Sequence, residues 1–280
     1  METFIDCHLH LWDLQRVEYA WLKGNTSILG RTYSLAEIEP QLAPAGVGGA
    51  VLVQAANNFG DTDLMLENAA RHPWVRGVVG WVNLLSPAQT ATALDCYQHH
   101  EVFKGVRHLI HDEPDPFWLL QPAVQESLAI LAERGLTYDV VGTKPEHLRC
   151  VLATGAALPR LKLVLDHLAT PPIPTGQLGE WGPLLAEAAQ LPNVYVKISG
   201  LGTIAARAPW TADDLKPYVA HALQCFGPDR ALCGGDWPVS LLAGTYAHTW
   251  AQYAQVLADL LPPADQAKVR AHNAERVYGL

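Results

Sequence analysis

The sequence predicts one α/β domain, a (β/α)8 TIM barrel with long loops after strands 1, 6 and 7. Three observations carry that expectation. Eight short apolar runs alternate with helical segments along 280 residues. The runs are continuous in hydrophobicity, as in parallel strands buried on both faces. No composition shift marks a second unit, so residues 1–280 read as a single barrel domain. A doubly wound open sheet is the alternative, weakened because no GxGxxG turn follows any strand.

Taken in order, Phe4–His10 reads as the first strand and ends in two histidines two residues apart. Strand alternation turns His8 and His10 to one face, with Phe4 and Asp6 behind them. Residues 11–33 form a long segment carrying Trp12, Tyr19, Trp21 and Tyr33. Its aromatic content favours an ordered flap over the barrel mouth, with a mere lid on the core as the alternative. Ser34 to Glu37 is a capping box that opens a helix to about Ala45, ended by Gly46, Gly48 and Gly49. Strand 2 is read at Ala50–Ala55, followed by an amphipathic helix from Asp61 to His72 and a stop at Pro73. Strand 3 is Gly77–Asn83, then a helix from Ser86 to His100. Strand 4 is Phe103–His108, then a helix from Gln121 to Arg134 stopped by Gly135. Strand 5 is Leu136–Val141, with a helix from about Lys144 to Gly155 that has Pro145 in its first turn. Strand 6 is Leu161–His167, followed by a Pro- and Gly-rich loop and a helix ending near Leu191. Strand 7 is Asn193–Ser199, then a loop to Trp210 and a helix from Thr211 to Phe226. Strand 8 is Arg230–Asp236, and two helices, Tyr246 to Leu260 and Ala264 to Tyr278, follow it.

Hydrophobic content of 49% with 17% charged residues describes a globular chain with a large core. A net charge of −9 with no basic stripe argues against a nucleic-acid partner. Five dispersed cysteines suit a reducing cytoplasm better than a disulfide framework, with Cys7 and Cys233 as core fillers. The strand pattern begins almost at once, which argues against a signal peptide. No apolar run reaches the length of a membrane span.

In a barrel the active site lies at the C-terminal ends of the strands, so the polar residues there are the informative ones. They are His8 and His10, Gln54, Asn83, Arg107 and His108, Tyr138 or Asp139, Asp166 and His167, Lys197 and Ser199, and Asp236. Each alone has a structural explanation: a hydrogen-bonded core histidine for His108 or His167, a turn cap for Asp236, a rim salt bridge for Arg107. Lys197 reads as a side chain that snorkels out of the barrel wall. Together, His8, His10, His167 and Asp236 face one cavity and make an N,O ligand set for Zn²⁺ or a similar divalent ion.

Several stretches in chain order carry a resemblance. They are His8-Leu-His10, Lys104-Gly-Val-Arg-His108, Asp112-Glu-Pro-Asp115, Gly135-Leu-Thr-Tyr-Asp139, Val164-Leu-Asp-His167, Lys197-Ile-Ser-Gly200, Gly234-Gly-Asp-Trp-Pro238 and Asn273 to Leu280. The chain resembles the amidohydrolase superfamily of the amidohydrolase 2 type. It is more similar to the branch of sugar-lactone hydrolases, of the L-fuconolactonase and L-rhamnonolactonase kind. Two positions depart from that pattern: Thr170 stands where a lysine is usual, and Gly235 where a serine is usual. No lysine suits the carbamylated bridge of two-metal members, Lys104 being too deep in the barrel, so the resemblance implies one ion at most.

The resemblance implies that water attacks the carbonyl of a sugar-acid lactone, with Asp236 as general base and later general acid. It implies one divalent ion, Zn²⁺ by ligand type, held by His8, His10, His167 and Asp236, with His10 and His167 beside the chemistry. Catalysis without a metal stays open, with imidazoles and Arg107 stabilising the oxyanion. Arg107, His108, Trp21, Trp81 and Tyr138 would read the sugar. The expected partner is a small-molecule sugar lactone, with neither nucleic acid nor membrane, and a homo-oligomer is left open. A metal-dependent decarboxylase or amide hydrolase is the competing enzyme reading. A decarboxylase needs cations for an acidic aromatic substrate, and only Arg107 and Arg207 are candidates. A barrel that binds without catalysing is the third reading.

Overall fold

Parallel neighbours cannot be joined by tight turns, so each strand must be followed by a crossover that returns the chain to the same end of the sheet. The structure, a computed structural model, describes residues 3–206 and 209–280. Its eight strands are β1 Phe4–Leu9, β2 Val47–Val53, β3 Val75–Gly80, β4 Phe103–His108, β5 Thr137–Val140, β6 Lys162–Leu165, β7 Val194–Ile198 and β8 Ala231–Cys233. They pair in chain order, all parallel. The seam between β1 and the segment after β8 is held by His10 N–H to the Trp237 carbonyl at 2.8 Å and Asp236 N–H to the His8 carbonyl at 2.7 Å. The expected (β/α)8 barrel is thus the observed architecture.

The helices are α1 Leu35–Leu42, α2 Phe59–Ala69, α3 Pro87–Tyr97, α4 Pro122–Glu133, α5 Pro145–Ala157, α6 Trp181–Ala188, α7 Leu201–Ile204, α8 Ala212–Phe226, α9 Tyr246–Leu260, α10 Pro263–Ala267 and α11 Asn273–Tyr278. Local chemistry starts them where the sequence predicts. Ser34 N–H donates to Glu37 Oε1 at 3.2 Å before α1, and Pro87, Pro122 and Pro145 open α3, α4 and α5. The last helix differs from expectation. A π-helical turn over Lys268–His272 separates α10 from α11, and its Val269, Arg270 and Ala271 are buried against the barrel. No helix among the described residues is long and apolar enough to cross a membrane.

Two apolar clusters follow from strand alternation. One joins the outer strand faces to the helices. The other fills the barrel itself with Ile5, Cys7, Val51, Val53, Val79, Val164, Tyr195 and Leu232. The C-terminal helical stretch adds Ala271, Ala274, Val277 and Tyr278 to that interior cluster. Lys104 and Lys162, at the starts of β4 and β6, donate to the Gly279 and Val277 carbonyls at 2.8 Å each, so this stretch closes the N-terminal floor of the barrel.

The aromatic segment is an ordered flap. Trp12 and Tyr33 exchange backbone hydrogen bonds at 3.1 and 2.9 Å, and Tyr19 O–H donates to Asp61 at 2.7 Å. Trp12, Tyr19 and Tyr33 are core, while Trp21 reaches the mouth with its Nε1–H on the Ala55 carbonyl at 2.7 Å. Asp61 also accepts from the N–H groups of Ala55 and Ala56, at 2.7 and 3.2 Å. Burial outweighs these bonds and pushes its carboxyl up to about 6 from 3.8. A folded-state value above the unfolded one means that the native chain binds the extra proton. The contribution is therefore full below about pH 4 and lost as pH rises to about 6. Asp61→Asn removes that titration, so melting curves should show a lower Tm overall and a smaller decline between those pH values than in the wild type. An unchanged slope would contradict this reading of Asp61.

Candidate active site

Simple alternation does not place the two histidines of β1. Between the Asp6–Ala50 and Leu9–Leu52 pairs, β1 advances three residues while β2 advances two. This bulge puts Cys7 and His8 both toward the interior. It corrects the expectation that Phe4 and Asp6 lie behind the histidines. Phe4 packs on Trp250, with ring centroids 4.7 Å apart, and Asp6 accepts from Gly235 N–H and Tyr246 O–H at 2.7 and 2.8 Å, both on the helix side. Asp6 also explains the departure at position 235. A Cβ there would lie 2.7 Å from Asp6 Oδ2 and 2.8 Å from Tyr246 Cε2, which leaves room for glycine alone.

Strands 6 and 8 stop earlier than the sequence predicts, because His167 and Asp236 leave the ladder. His167, Leu168, Ala169 and Thr170 all have φ between 52° and 57°, and Asp236 has φ 55°. Each non-glycine residue in that region costs about 1–2 kcal/mol. The turn is held by Trp181 Nε1–H on the Leu168 carbonyl at 2.7 Å, Thr170 O–H on the Gly142 carbonyl at 2.8 Å and His167 N–H on Ser199 Oγ at 3.2 Å. The result aims His167 and Asp236 into the mouth beside His8 and His10. The rings of His8 and His10 lie 4.8 Å apart, and those of His8 and His167 4.5 Å apart.

The hydrogen bonds fix the tautomers. His10 Nδ1 meets the Val53 carbonyl at 2.7 Å, so that nitrogen carries a proton and Nε2 is the one turned to the mouth. That nitrogen faces Asp236 Oδ1 at 3.4 Å. His8 Nε2 is 3.8 Å from the same oxygen and 2.8 Å from Arg107 Nη1. A guanidinium only donates, so His8 Nε2 accepts, and its Nδ1–H points at Asp166 Oδ1, 3.2 Å away. Burial holds His8 well below the usual imidazole range and lowers His167 too, so both rings are neutral.

His8, His10 and Asp236 therefore converge three electron-pair donors within 4.8 Å, an arrangement that suits a cation. His167 joins a different triple, with His8 and Asp166. The four residues expected as one ligand set are brought together, but as two sets that share His8.

Beneath them lies a charge network that the sequence left unassigned. Lys197 is fully buried inside the barrel and does not snorkel outward, because it shares the inward parity of Tyr195. Its ammonium lies 2.7 Å from Asp139 Oδ2 and 2.8 Å from Asp166 Oδ1. Burial works against that ammonium, but the two carboxylates prevail and hold it above its ordinary range. Burial likewise opposes the Asp166 charge, yet Lys197, His8 and Arg107 bring it well below the carboxylate range.

The mouth holds a cavity of about 320 Å³ lined by His10, Arg107, His167 and Asp236 on its polar side. Trp21, Leu109, Val141, Ile204 and Val239 make its apolar wall. His111, Thr143, Thr170 and Thr203 also line it; only Thr170 is singled out by the sequence, as a departure, because the other three lie in short segments after the strands that carry no periodic pattern. Burial lowers His111 to about 4, so it is neutral there.

Trp81, His108 and Tyr138 are not brought to this cavity. Trp81 Nε1–H donates to His108 Nδ1 at 3.0 Å, so His108 Nε2–H donates to Glu113 at 2.7 Å, with Trp118 stacked 4.0 Å away. Both His108 nitrogens are thus engaged. Tyr138 has the parity opposite to Asp139 and packs in the sheet–helix core. Arg207 lies outside the described residues.

A family model described as amidohydrolase matches residues 5–280. The chain is 34% identical to the L-fucono-1,5-lactonase of Burkholderia ambifaria, over 98% of this chain and 94% of that one. It is 31% identical to the L-fucono-1,5-lactonase of Burkholderia multivorans, over 99% and 96%. Among solved structures, it is similar to an amidohydrolase from Burkholderia multivorans with bound zinc. There the TM-score is 0.90 at 30% identity, over 99% of both chains.

Proposed function

The chain belongs to the amidohydrolase family, and from that premise we propose that it opens a neutral sugar lactone by attack of water. An aldonolactone such as L-fucono- or L-rhamnono-lactone is the substrate class. The carrying observation is the Asp236 carboxylate on the cavity wall, 3.4 Å from Nε2 of a His10 whose ring is oriented by the Val53 carbonyl. The two lactonase relatives support the same reading. So does the charge of the cavity: its described lining offers one cationic side chain, Arg107, which sits 3.3 Å from Asp166. That suits an uncharged substrate and disfavours an acidic aromatic one.

Asp236 takes a proton from water as the water oxygen bonds to the lactone carbonyl carbon. Collapse of the tetrahedral species breaks the ring C–O bond, and Asp236 returns the proton to the leaving oxygen. The product is the open hydroxy acid. His10 stands beside Asp236 on the cavity wall and orients the attacking water there. Arg107 offers N–H donors toward the developing oxyanion, and His167, fixed by Ser199 at 2.9 Å, borders the leaving group. Trp21 gives the sugar ring an apolar face. Trp81, His108 and Tyr138 support the wall instead of touching the sugar.

His8, His10 and Asp236 also fit a divalent ion, Zn²⁺ by donor type, with His10 oriented by the Val53 carbonyl. The His8 lone pair that would take the ion is the one Arg107 uses, so Arg107 must yield it. When bound, the ion would polarise the carbonyl or lower the pKa of water toward about 7.

A panel of neutral sugar lactones and a panel of carboxylated aromatics, followed by pH indicator and by CO2 release, tests the reading. Acid release from lactones alone is expected, and CO2 release from aromatic acids would overturn it. Elemental analysis of the same samples should find a stoichiometric metal in the wild type and its loss in His10→Ala.

A further inference from the structure

Buried polar atoms are nearly always paired, so one left single calls for a partner that the protein itself does not supply. Three such atoms belong to side chains on the wall of the active-site cavity: Arg107 Nε, His111 Nδ1 and Thr203 Oγ1. Away from the reacting groups, the rest of the polar wall is already engaged. Thr170 O–H is on the Gly142 carbonyl and Trp21 Nε1–H on the Ala55 carbonyl, while Thr143 is exposed and open to water. Arg107 has its place toward the oxyanion. His111 and Thr203 have none.

The two come from separate arcs of the barrel. His111 sits in the turn Ile110–Asp112 after β4, beside Leu109, and Thr203 lies in α7 after β7, beside Ile204. Neither polar atom is fixed where it stands. Thr203 Oγ1 makes no bond to its own helix, so its hydroxyl and methyl exchange places by one rotamer step about χ1. His111 Nε2 lies 3.6 Å from Asp112 Oδ1, beyond hydrogen-bonding distance, so no hydrogen bond locks the ring about χ2. A hydroxyl group both donates and accepts. It therefore pairs with a threonine hydroxyl and with either nitrogen of an imidazole. A ring that carries several hydroxyls suits this wall, whereas a plain hydrocarbon lactone leaves both side chains unpaired.

We propose that His111 and Thr203 are specificity-determining residues, each taking one ring hydroxyl of the bound lactone and so deciding which sugar configuration the cavity accepts. This rests on the sugar-lactone reading above.

Matched sets of protein and substrate test it. The wild type, Thr203→Val and His111→Phe are assayed on the best lactone of the panel and on analogues that each lack one ring hydroxyl. Valine keeps the shape of threonine, and phenylalanine keeps a flat ring. Each variant should raise KM for the full lactone about tenfold with kcat within about threefold, as expected for lost binding. The wild type should separate the full lactone from its analogues by about tenfold. Each variant should cease to separate it from one analogue, a different one for each variant. Thr203→Val should melt no lower than the wild type, because the hydroxyl that it deletes has no partner in the protein. Where His111→Phe does not fold, Thr203→Val carries the test alone. Variants that lose equally on the full lactone and on every analogue would overturn the proposal, as would kcat/KM within about twofold of wild type throughout. Both outcomes leave the lactone reading standing. A wild type that opens no lactone removes that reading, and this inference with it.

Discussion

Asp236→Asn lowers kcat for lactone opening by about 10²–10⁴-fold, the range that a positioned general base contributes. The amide keeps the shape of the carboxylate and its backbone anchors, Asp236 N–H on the His8 carbonyl at 2.7 Å and Ser240 N–H on the Asp236 carbonyl at 2.8 Å. The variant should therefore fold with nearly the wild-type Tm. What it loses is the carboxylate beside His8 and His10, at 3.8 and 3.4 Å, which is the proposed acceptor of the proton from water. KM should move little, because the base acts in the transition state and contributes little to binding the lactone. Steady-state rates with an indicator, next to a melting curve, check both halves. A variant within tenfold of wild-type kcat would mean that another group takes the proton.

Gly200→Ala carries the second large effect. Gly200 has φ +62°, a conformation that costs any other residue about 1–2 kcal/mol. Its Cβ would also stand 2.7 Å from His167 Nδ1 and 2.9 Å from Asp236 Oδ2. Neither neighbour can move away freely. His167 is pinned through Ser199 Oγ and sits in a left-handed turn, and Asp236 is fixed by its own positive-φ backbone. One methyl therefore drives apart the two side chains that the turns after β6 and β8 bring together. A displacement of about 1 Å at a reacting group costs on the order of 100-fold in rate. Gly200→Ala should accordingly lose about 100-fold in kcat while remaining folded with a modestly lower Tm. Wild-type kcat in this variant would show that the spacing of His167 and Asp236 does not matter to the reaction.

Much of this was legible in the residues before any coordinates. The eight apolar runs announce their strands because each is buried on both faces, and β4 has the predicted bounds, Phe103–His108. His8, His10, Arg107, His167 and Asp236 could be gathered from different strands because a barrel sends every strand end to one mouth. Other parts are invisible to periodicity. The β1 bulge reverses the face expected for Asp6, and no glycine or proline near Cys7 signals it. The left-handed run from His167 to Thr170 contains no glycine or asparagine, and it persists only through bonds to Trp181, Gly142 and Ser199, which are distant partners in sequence. His108 ends its strand like Arg107 but has the opposite parity, and Trp81, Glu113 and Trp118 engage it away from the mouth. Lys197 reads as a side chain that snorkels out of the barrel wall until its partners Asp139 and Asp166, from two other strands, are seen inside the barrel.

Where the resemblance leads one to expect a lysine, the structure places a threonine on the cavity wall with its hydroxyl on the Gly142 carbonyl. The wall thus lacks an ammonium at that point.

The most direct test of the account is isotopic. L-Fucono-1,5-lactone and its neutral relatives are incubated in H2¹⁸O with the wild-type protein, and the products are read by mass spectrometry against the spontaneous reaction. The account predicts ring opening well above the spontaneous rate for at least one lactone, with a single ¹⁸O in the new carboxylate and none at the released hydroxyl. Hydrolysis no faster than the spontaneous rate across the whole set, or label in the hydroxyl, would contradict it.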